Sequence, residues 1–469
     1  MLFCFRMLAY IITAMNVKKY IGTKDFYKTT ARIAVPLALQ SALMSCQSMI
    51  DTLMVSWIGK VSAVGTAAQI DTLASMISYG CIGGISMFAS QFYGADDAKN
   101  LKRCTGLGLI LVMCNASLWI FAATFFGREI LSFYMKDPAV VADGLLYLNI
   151  SRFTLLASGL SFIISNMFRS TGQPRIALRI SILTTVCNIT LNRLLIFGLG
   201  PVPAMGIEGA ALATLAAQCI GAGTLITYAI LTKQKFIGRL SEMFALNLDF
   251  IRPIFARILP LILNETLFGF GQTLFVKAFG YLGKEQMDAY YVGNQIFNLM
   301  TFIIYGYGNA VQILLGQKLG RGMIEEAKEE CDTHIGLAFI LSCILVIVLV
   351  LFAKPMVALF ALTDPATEAL AVTIVRVFAV KASMRLYNFM IFCILRSGGD
   401  ARVIQFLDSG MEWLVGLPCA FICVLVFRMD NIALVLLITQ LEQLVRLVLG
   451  MKRVRSYKWA NDLTKLVSA

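Results

Sequence analysis

The 469-residue sequence has little charge and almost no histidine. Only 14% of its residues are Asp, Glu, Lys or Arg, and His334 is the single histidine. Soluble domains carry about 25% charged residues. Hydrophobic residues make up 58% of the chain, and the mean hydropathy is +0.78. This composition excludes a soluble globular domain and predicts an integral membrane protein.

Motifs for covalent or metal-dependent catalysis are also missing. The sequence has no P-loop, no GxSxG and no HExxH, and its 12 cysteines include no CxxC pair. The cysteines are scattered, mostly through apolar stretches, which indicates small buried hydrophobic residues rather than disulfides or a metal site. We therefore expect neither an enzyme nor a cofactor, and no metal beyond a transported coupling ion.

Apolar stretches recur along the whole chain, each long enough for the roughly 20 helical residues that cross a bilayer. They predict an all-α integral membrane fold with twelve transmembrane helices. The predicted spans are residues 33–57, 65–93, 104–126, 141–168, 176–198, 206–232, 254–280, 288–316, 333–353, 364–395, 402–427 and 431–449.

The second half of the chain repeats the first. Residues 36–59 begin with Pro-Leu and end in Gly, and residues 260–283 do the same. Further on, Arg169-Ser170-x-Gly172 recurs as Arg396-Ser397-x-Gly399. Because six spans per half is an even number, both halves enter the membrane in the same orientation, as a parallel repeat. The predicted segments are an N-terminal cytoplasmic segment 1–30, an N-lobe 31–232, a linker 233–253, a C-lobe 254–450 and a basic tail 451–469.

The formal charge of +13 is distributed unevenly about the predicted spans. With the N-terminus in the cytoplasm, the tails and loops on that side hold 24 Lys and Arg, and the opposite loops hold 6. The positive-inside rule then places both termini in the cytoplasm, in an inner membrane. This placement explains the charge without a nucleic-acid partner. Residues 1–14 are either a wrongly assigned start or a loose interfacial segment.

The first span carries an acid on a polar face. Gln40, Met44, Gln47 and Asp51 are spaced 4, 3 and 4 apart, so they share one side of a helix. An acid inside a membrane span costs about 2.5–3.5 kcal/mol, so Asp51 is either a functional group or an acid that is hydrogen-bonded to a neighbouring helix. The prolines Pro36 and Pro260 predict kinks in the first helix of each half.

Further polar groups lie in later spans. Asn188 and Asn192 are one turn apart in span five, where amide oxygens suit either a small cation or a hydrogen bond between helices. Thr214 lies in span six, and Glu265 follows Asn264 in span seven. Protonation and Na⁺ binding compete at a buried carboxylate such as Asp51 or Glu265.

The second half holds more intramembrane charge. Lys381, Arg385 and Asn388 share a face of span ten, and Asp408 and Glu412 are one turn apart in span eleven. This pattern favours a buried ion-pair network. The alternative is a polar wall that faces a water-filled cleft.

The chain resembles the multidrug and toxic compound extrusion (MATE) family of cation-coupled efflux transporters over about residues 30–450. The resemblance rests on PLALQ…MIDTLMVSWIG, FASQFYGADD, FRSTGQPR, NITLNRLLIFGLGPVPAMGIEGAALAT, LPLILNETLFGFG and LRSGGDAR. It implies two six-helix lobes around a central cleft. Asp51 corresponds to the family's first-helix acid, Asn188 and Thr214 to other oxygen ligands of that site, and Glu265 to the seventh-helix acid of members that couple through the C-lobe. Asn192 stands where some members have Asp.

These observations together predict a monomeric antiporter that exports organic, including cationic, small molecules through the bilayer in exchange for H⁺ or Na⁺. The predicted coupling site comprises Asp51, Asn188, Asn192, Thr214 and Glu265. The alternatives are a flippase for lipid-linked precursors in the same superfamily and a membrane scaffold that transports nothing. The residues expected to line the substrate cleft are Gln40, Met44, Gln69, Asn264, Gln295 and Asn388.

Overall fold

A computed structural model describes residues 17–135, 137–198, 200–360, 362 and 364–466. Expectations for residues 1–14 lie outside this part of the chain. The described residues form helices joined by short turns, and eleven of the cysteines are described and carry free thiols. Cys46, Cys114 and Cys219 are exposed, so the expectation that the cysteines are buried is wrong for these three.

The described residues of the first half of the chain form eight α-helices before a short connector. They are α1 (Lys24–Ser56), α2 (Val61–Gly94), α3 (Ala98–Phe125), α4 (Gly127–Tyr134), α5 (Pro138–Ser151), α6 (Thr154–Ser170), α7 (Pro174–Phe197) and α8 (Gly206–Leu231), followed by the single turn α9 (Leu240–Met243).

The second half repeats this series. Its helices are α10 (Leu248–Gly280), α11 (Lys284–Gly320), α12 (Ile324–Leu351), α13 (Ala353–Ala358), α14 (Pro365–Ser397), α15 (Ala401–Val426) and α16 (Ile432–Arg455). Helices α1 and α10 both have 33 residues, and α3 and α12 both have 28. The short α4 and α13 occupy the same place in the two series, so the duplication predicted from the sequence extends to the order of helices.

The predicted spans correspond to these helices. Among the described residues, ten helices are long and apolar enough to cross a membrane, and the pair α5 and α6, bent by 49° at its break, makes an eleventh if it is one span. The remaining predicted span, 364–395, is α14, whose 33 residues are long enough to cross but include Lys381 and Arg385. The fold is therefore the predicted all-α, twelve-helix membrane architecture.

The repeated motifs hold turns that need glycine. Gly59 and Gly283 have φ of 69° and 94°, and Gly172 and Gly399 have φ of 76° and 83°. A side chain disfavours these left-handed conformations, so glycine occupies the matching position in each half. Pro36 and Pro260 both lie inside continuous helices, α1 and α10. A proline there removes one backbone hydrogen bond, and the predicted kinks stay a prediction.

The chain divides into two compact units, and two of the three divisions along the sequence fall inside a helix. The N-unit comprises residues 36–269 with 463–469, and the C-unit comprises residues 1–35 with 270–462. The first part of α10 thus belongs to the N-unit, where Gly80 and Gly84 of α2 face Ile262 and Ile258. Such small residues let helix backbones approach closely in a membrane protein.

Candidate functional site

In the N-unit, a chain of hydrogen bonds joins the acid of α1 to α7 and α8. Asn192 Nδ2 donates to Asp51 Oδ1 at 2.7 Å and also to Asn188 Oδ1 at 3.3 Å. Asn188 Nδ2 in turn donates to Thr214 Oγ1 at 3.4 Å. The structure therefore brings together four of the five residues predicted to form the coupling site.

The polar face of α1 lies along α7. Gln40 Nε2 donates to Ser181 Oγ at 2.7 Å, and Thr185 Oγ1 donates to Gln47 Oε1 at 2.8 Å. Together with the Asp51–Asn192 contact, these bonds join two helices at three successive levels. The helical spacing of 40, 47 and 51 predicted this shared face.

The Asp51 end of this polar face contains a buried oxygen with no partner within the described residues. Asn192 is only 2% exposed, and both of its amide hydrogens are used, but its Oδ1 accepts no hydrogen bond. A buried carbonyl oxygen that lacks a donor is unfavourable. This amide oxygen and the neighbouring Asp51 carboxylate are both oxygen ligands that a small cation could coordinate.

Two cavities open along the polar face of α1. A cavity of about 350 Å³ is bounded by Asp51, Asn192 and Thr214. A second, of about 200 Å³, is lined by Gln40 and by polar residues of several helices. Both share three lining residues, Met44, Gln47 and Gln218.

Two charged residues of this region are absent from the site predicted from the sequence. Arg169, the first residue of the repeated Arg-Ser-x-Gly motif, lines the cavity of about 200 Å³. Asp71 of α2 and Asp51 both lie close enough to Tyr147 to interact electrostatically with its phenol, and Tyr147 lines the cavity of about 350 Å³. Asp71 lies in predicted span 65–93, so the rule that singled out Asp51 would also have found it.

The remaining predicted site residues lie elsewhere. Glu265 is partly buried and Asn264 fully buried, both in the part of α10 that belongs to the N-unit. Gln69 and Gln295 are exposed, and neither lines the two cavities above. Asn388 is fully buried, and its Nδ2 donates to Gln443 Oε1 at 2.9 Å, so it joins α14 to α16.

The C-unit contains a buried charged cluster formed by Lys381, Arg385, Asp408, Glu412, Glu442 and Arg446. Arg385 lies 3.7 Å from Asp408, so the ion pair expected between spans ten and eleven is present. The main partner of Asp408 is Arg446, at 2.7 Å, and Arg446 also pairs with Glu442. The sequence reasoning missed Glu442 and Arg446, although both lie one turn apart in the last predicted span.

Lys381 was expected to form an ion pair in this cluster, but it contacts aromatic rings instead. Its ammonium nitrogen lies 4.7 Å from the ring centre of Phe297 and 4.9 Å from that of Phe378. It is thus stabilised by two aromatic faces. No ion pair to Lys381 occurs among the described residues.

A helical membrane fold with polar cavities and charge buried within its spans is the architecture of a multi-span membrane transporter. The chain belongs to the MatE family, whose model matches residues 36–194 and 260–422. The two matched blocks begin at Pro36 and Pro260, where the internal repeat also begins. The protein is therefore a MATE transporter and not an enzyme.

Individual relatives cover most of the chain. It is 24% identical over 404 residues to the uncharacterized transporter YisQ of Bacillus subtilis, which covers 82% of this chain and 85% of the relative. It is 24% identical over 327 residues to the FAD transporter of Shewanella oneidensis, covering 68% and 70%. A crystal structure of a Vibrio cholerae MATE transporter superposes with a TM-score of 0.84 at 14% identity, covering 93% of this chain and 98% of that one.

Proposed function

We propose that this transporter exports small organic molecules, including cationic ones, in exchange for H⁺ or Na⁺ by alternating access. The observation that carries the proposal is the Asp51 site. A membrane carboxylate, an unpartnered amide oxygen and a hydroxyl border one cavity of about 350 Å³. These are oxygen ligands for a small cation, and the carboxylate also accepts a proton.

The substrate class follows from the neighbouring cavity. The aromatic rings of Tyr79 and Phe162 meet edge to face at 4.8 Å in its wall, together with the thioether of Met44. Such surfaces bind flat organic molecules of varied shape. Because Met44 and Gln47 border both cavities, substrate and coupling ion compete for one face of α1.

The orientation follows from the loops. The 24 basic residues on one side and 6 on the other support an orientation with both termini in the cytoplasm, in the inner membrane of the cell. Substrate then leaves the cytoplasm as the ion enters along its gradient.

The test is ethidium efflux from inverted or right-side-out vesicles under an imposed Na⁺ or pH gradient. We expect wild type to move dye under one gradient, and Asp51→Asn or Glu265→Gln to stop it. Asp249→Asn, a change at an exposed acid of the N-unit, is the matched control. Dye movement by Asp51→Asn and Glu265→Gln at the wild-type rate would overturn the coupling proposal. If wild type moves no dye, flavin adenine dinucleotide is the next substrate to test, because a relative is named as its transporter.

A further inference from the structure

The C-unit holds a buried carboxylate whose surroundings differ from those of its neighbours. Glu412 is 0% exposed. Its Oε1 accepts a hydrogen bond from Gln272 Nε2 at 2.5 Å, and its Oε2 has no partner within the described residues. By contrast, Asp408 and Glu442 both pair with the guanidinium of Arg446. Glu412 therefore faces a neutral amide where the other two acids face a cation.

The charged groups near Glu412 come from three helices. They are Lys381 and Arg385 of α14, Asp408 of α15 itself, and Glu442 and Arg446 of α16. With all six groups ionised, three cations balance three acids. Uptake of one proton by Glu412 changes the cluster from neutral to singly positive. A net charge buried inside the protein is costly. The ionisation of Glu412 therefore depends on the charges of the other five groups of the cluster.

The backbone leaves room for this carboxyl group. A Cβ added to Gly271 would lie 2.6 Å from the Glu412 carboxyl carbon, so the carboxyl group occupies space that a side chain at residue 271 would need. Glu412 also begins one of the π-helical segments of α15, residues Glu412–Gly416. A π-turn packs less well than an α-turn and is found frequently at functional sites.

The internal repeat gives an independent reason to compare this site with the N-unit. The offset that relates Arg175 to Arg402 places Glu412 at the position of Thr185. Thr185 contacts Gln47 of α1, and Glu412 contacts Gln272 of α10, at 2.8 Å and 2.5 Å. In each half, a side-chain hydrogen bond thus joins the first span to the fifth span, α1 to α7 and α10 to α15. In the second half, one of the two partners is an acid.

We propose that Glu412 is a proton-binding site of the C-unit, separate from Asp51 and Glu265. A proton taken from the water on one side of the membrane bonds to a lone pair of Oε2, which converts the carboxylate to the neutral acid. The same O–H bond breaks when the proton leaves to the other side. A proton needs one lone pair and no cavity, whereas a metal ion needs several oxygen ligands. Only the use of this proton to drive export rests on the proposed function.

The test is an infrared pH titration of the purified full-length protein in lipid, which follows the C=O stretch of protonated carboxyl groups. We expect Glu412→Gln to remove one titrating band that wild type shows. Glu285→Gln, a change at an exposed acid of the same unit, should keep it. If Glu412→Gln does not fold, Glu412→Asp serves instead, and the band should move in frequency. A spectrum that neither substitution alters overturns the proposal.

A transport measurement separates this inference from the proposed function. In vesicles with an imposed pH gradient, we expect Glu412→Gln to lower the initial efflux rate at least tenfold. If wild type transports nothing, the function proposed above fails, but the infrared titration still tests Glu412. If Glu412→Gln transports at the wild-type rate while its band is lost, the proton site stands and its role in export is refuted.

Discussion

Asn192 donates a hydrogen bond to the Asp51 carboxylate at 2.7 Å, which ties α7 to α1 inside the bilayer. The amide keeps this pair at one negative charge. A carboxylate in its place would add a second, so residue 192 sets the charge that the site offers to a cation.

We therefore predict that Asn192→Asp raises the affinity of the protein for Na⁺. Two adjacent carboxylates attract a cation more strongly than one, and a tenfold gain corresponds to about 1.4 kcal/mol. The measurement is the thermal unfolding midpoint in detergent during a titration with NaCl, with choline chloride as the control salt. Equal responses of Asn192→Asp to the two salts would contradict this prediction.

Gly80 provides a test of helix packing in the N-unit. A Cβ at Gly80 would lie 2.5 Å from the Ile262 Cα, which is backbone and cannot rotate away. We expect Gly80→Ala to lower the free energy of unfolding by about 1–3 kcal/mol through overpacking. Gly65→Ala on the same helix is the control, because nothing lies within 4 Å of its added Cβ. Similar melting temperatures for the two variants would count against the close approach of α2 and α10.

Arg446 holds two acids of the charged cluster, so its removal should be severe. Arg446→Met leaves Asp408 and Glu442 without their main cation, and breaking a buried pair in this way costs about 3–5 kcal/mol. We expect a large fall in thermal stability and in the yield of monodisperse protein. Lys277→Met, at an exposed cation of the same unit, should behave like wild type. Stability retained in Arg446→Met would show that these acids do not depend on the guanidinium.

The turn at Gly172 should tolerate no side chain. Its φ of 76° is unfavourable for alanine, so we expect Gly172→Ala to destabilise the protein by about 1–2 kcal/mol. Gly223→Ala is the matched control, because this glycine lies within α8 and has open space around it. There alanine raises helix propensity by roughly 1 kcal/mol. The two variants should shift the unfolding midpoint in opposite directions.

Much of the fold could be predicted because membranes impose simple rules. A span needs a certain apolar length, so the spans follow from counting apolar residues. The orientation inferred from the basic residues stays a prediction. The duplication was visible because turns such as that at Gly59 require glycine in both halves. The break between α5 and α6 could not be predicted, because a straight helix and a bent one can have the same apolar sequence pattern.

The candidate site was predicted only in part. Asp51, Asn188 and Asn192 could be placed together because helical spacing and the resemblance to a known family agreed. Gln69 and Gln295 are exposed and line neither cavity described above, so their place in a substrate cleft stays a prediction. Lipid-facing and packed surfaces of a membrane helix are similarly apolar, so the sequence does not define how a helix is rotated about its axis. Partners such as Arg446 and Asp408, on different helices, depend on that rotation.

The break at Arg152 and Phe153 makes the two halves structurally unequal. At this point Arg152 N still bonds to Leu148 O at 3.0 Å, but Phe153 N bonds to Ile150 O, so the regular backbone pattern is interrupted. Its counterpart α14 runs unbroken for 33 residues. The fourth span of the N-unit therefore has an interrupted backbone hydrogen-bond pattern, and its counterpart in the C-unit is continuous. Two copies of one ancestral segment thus differ in whether their backbone bends.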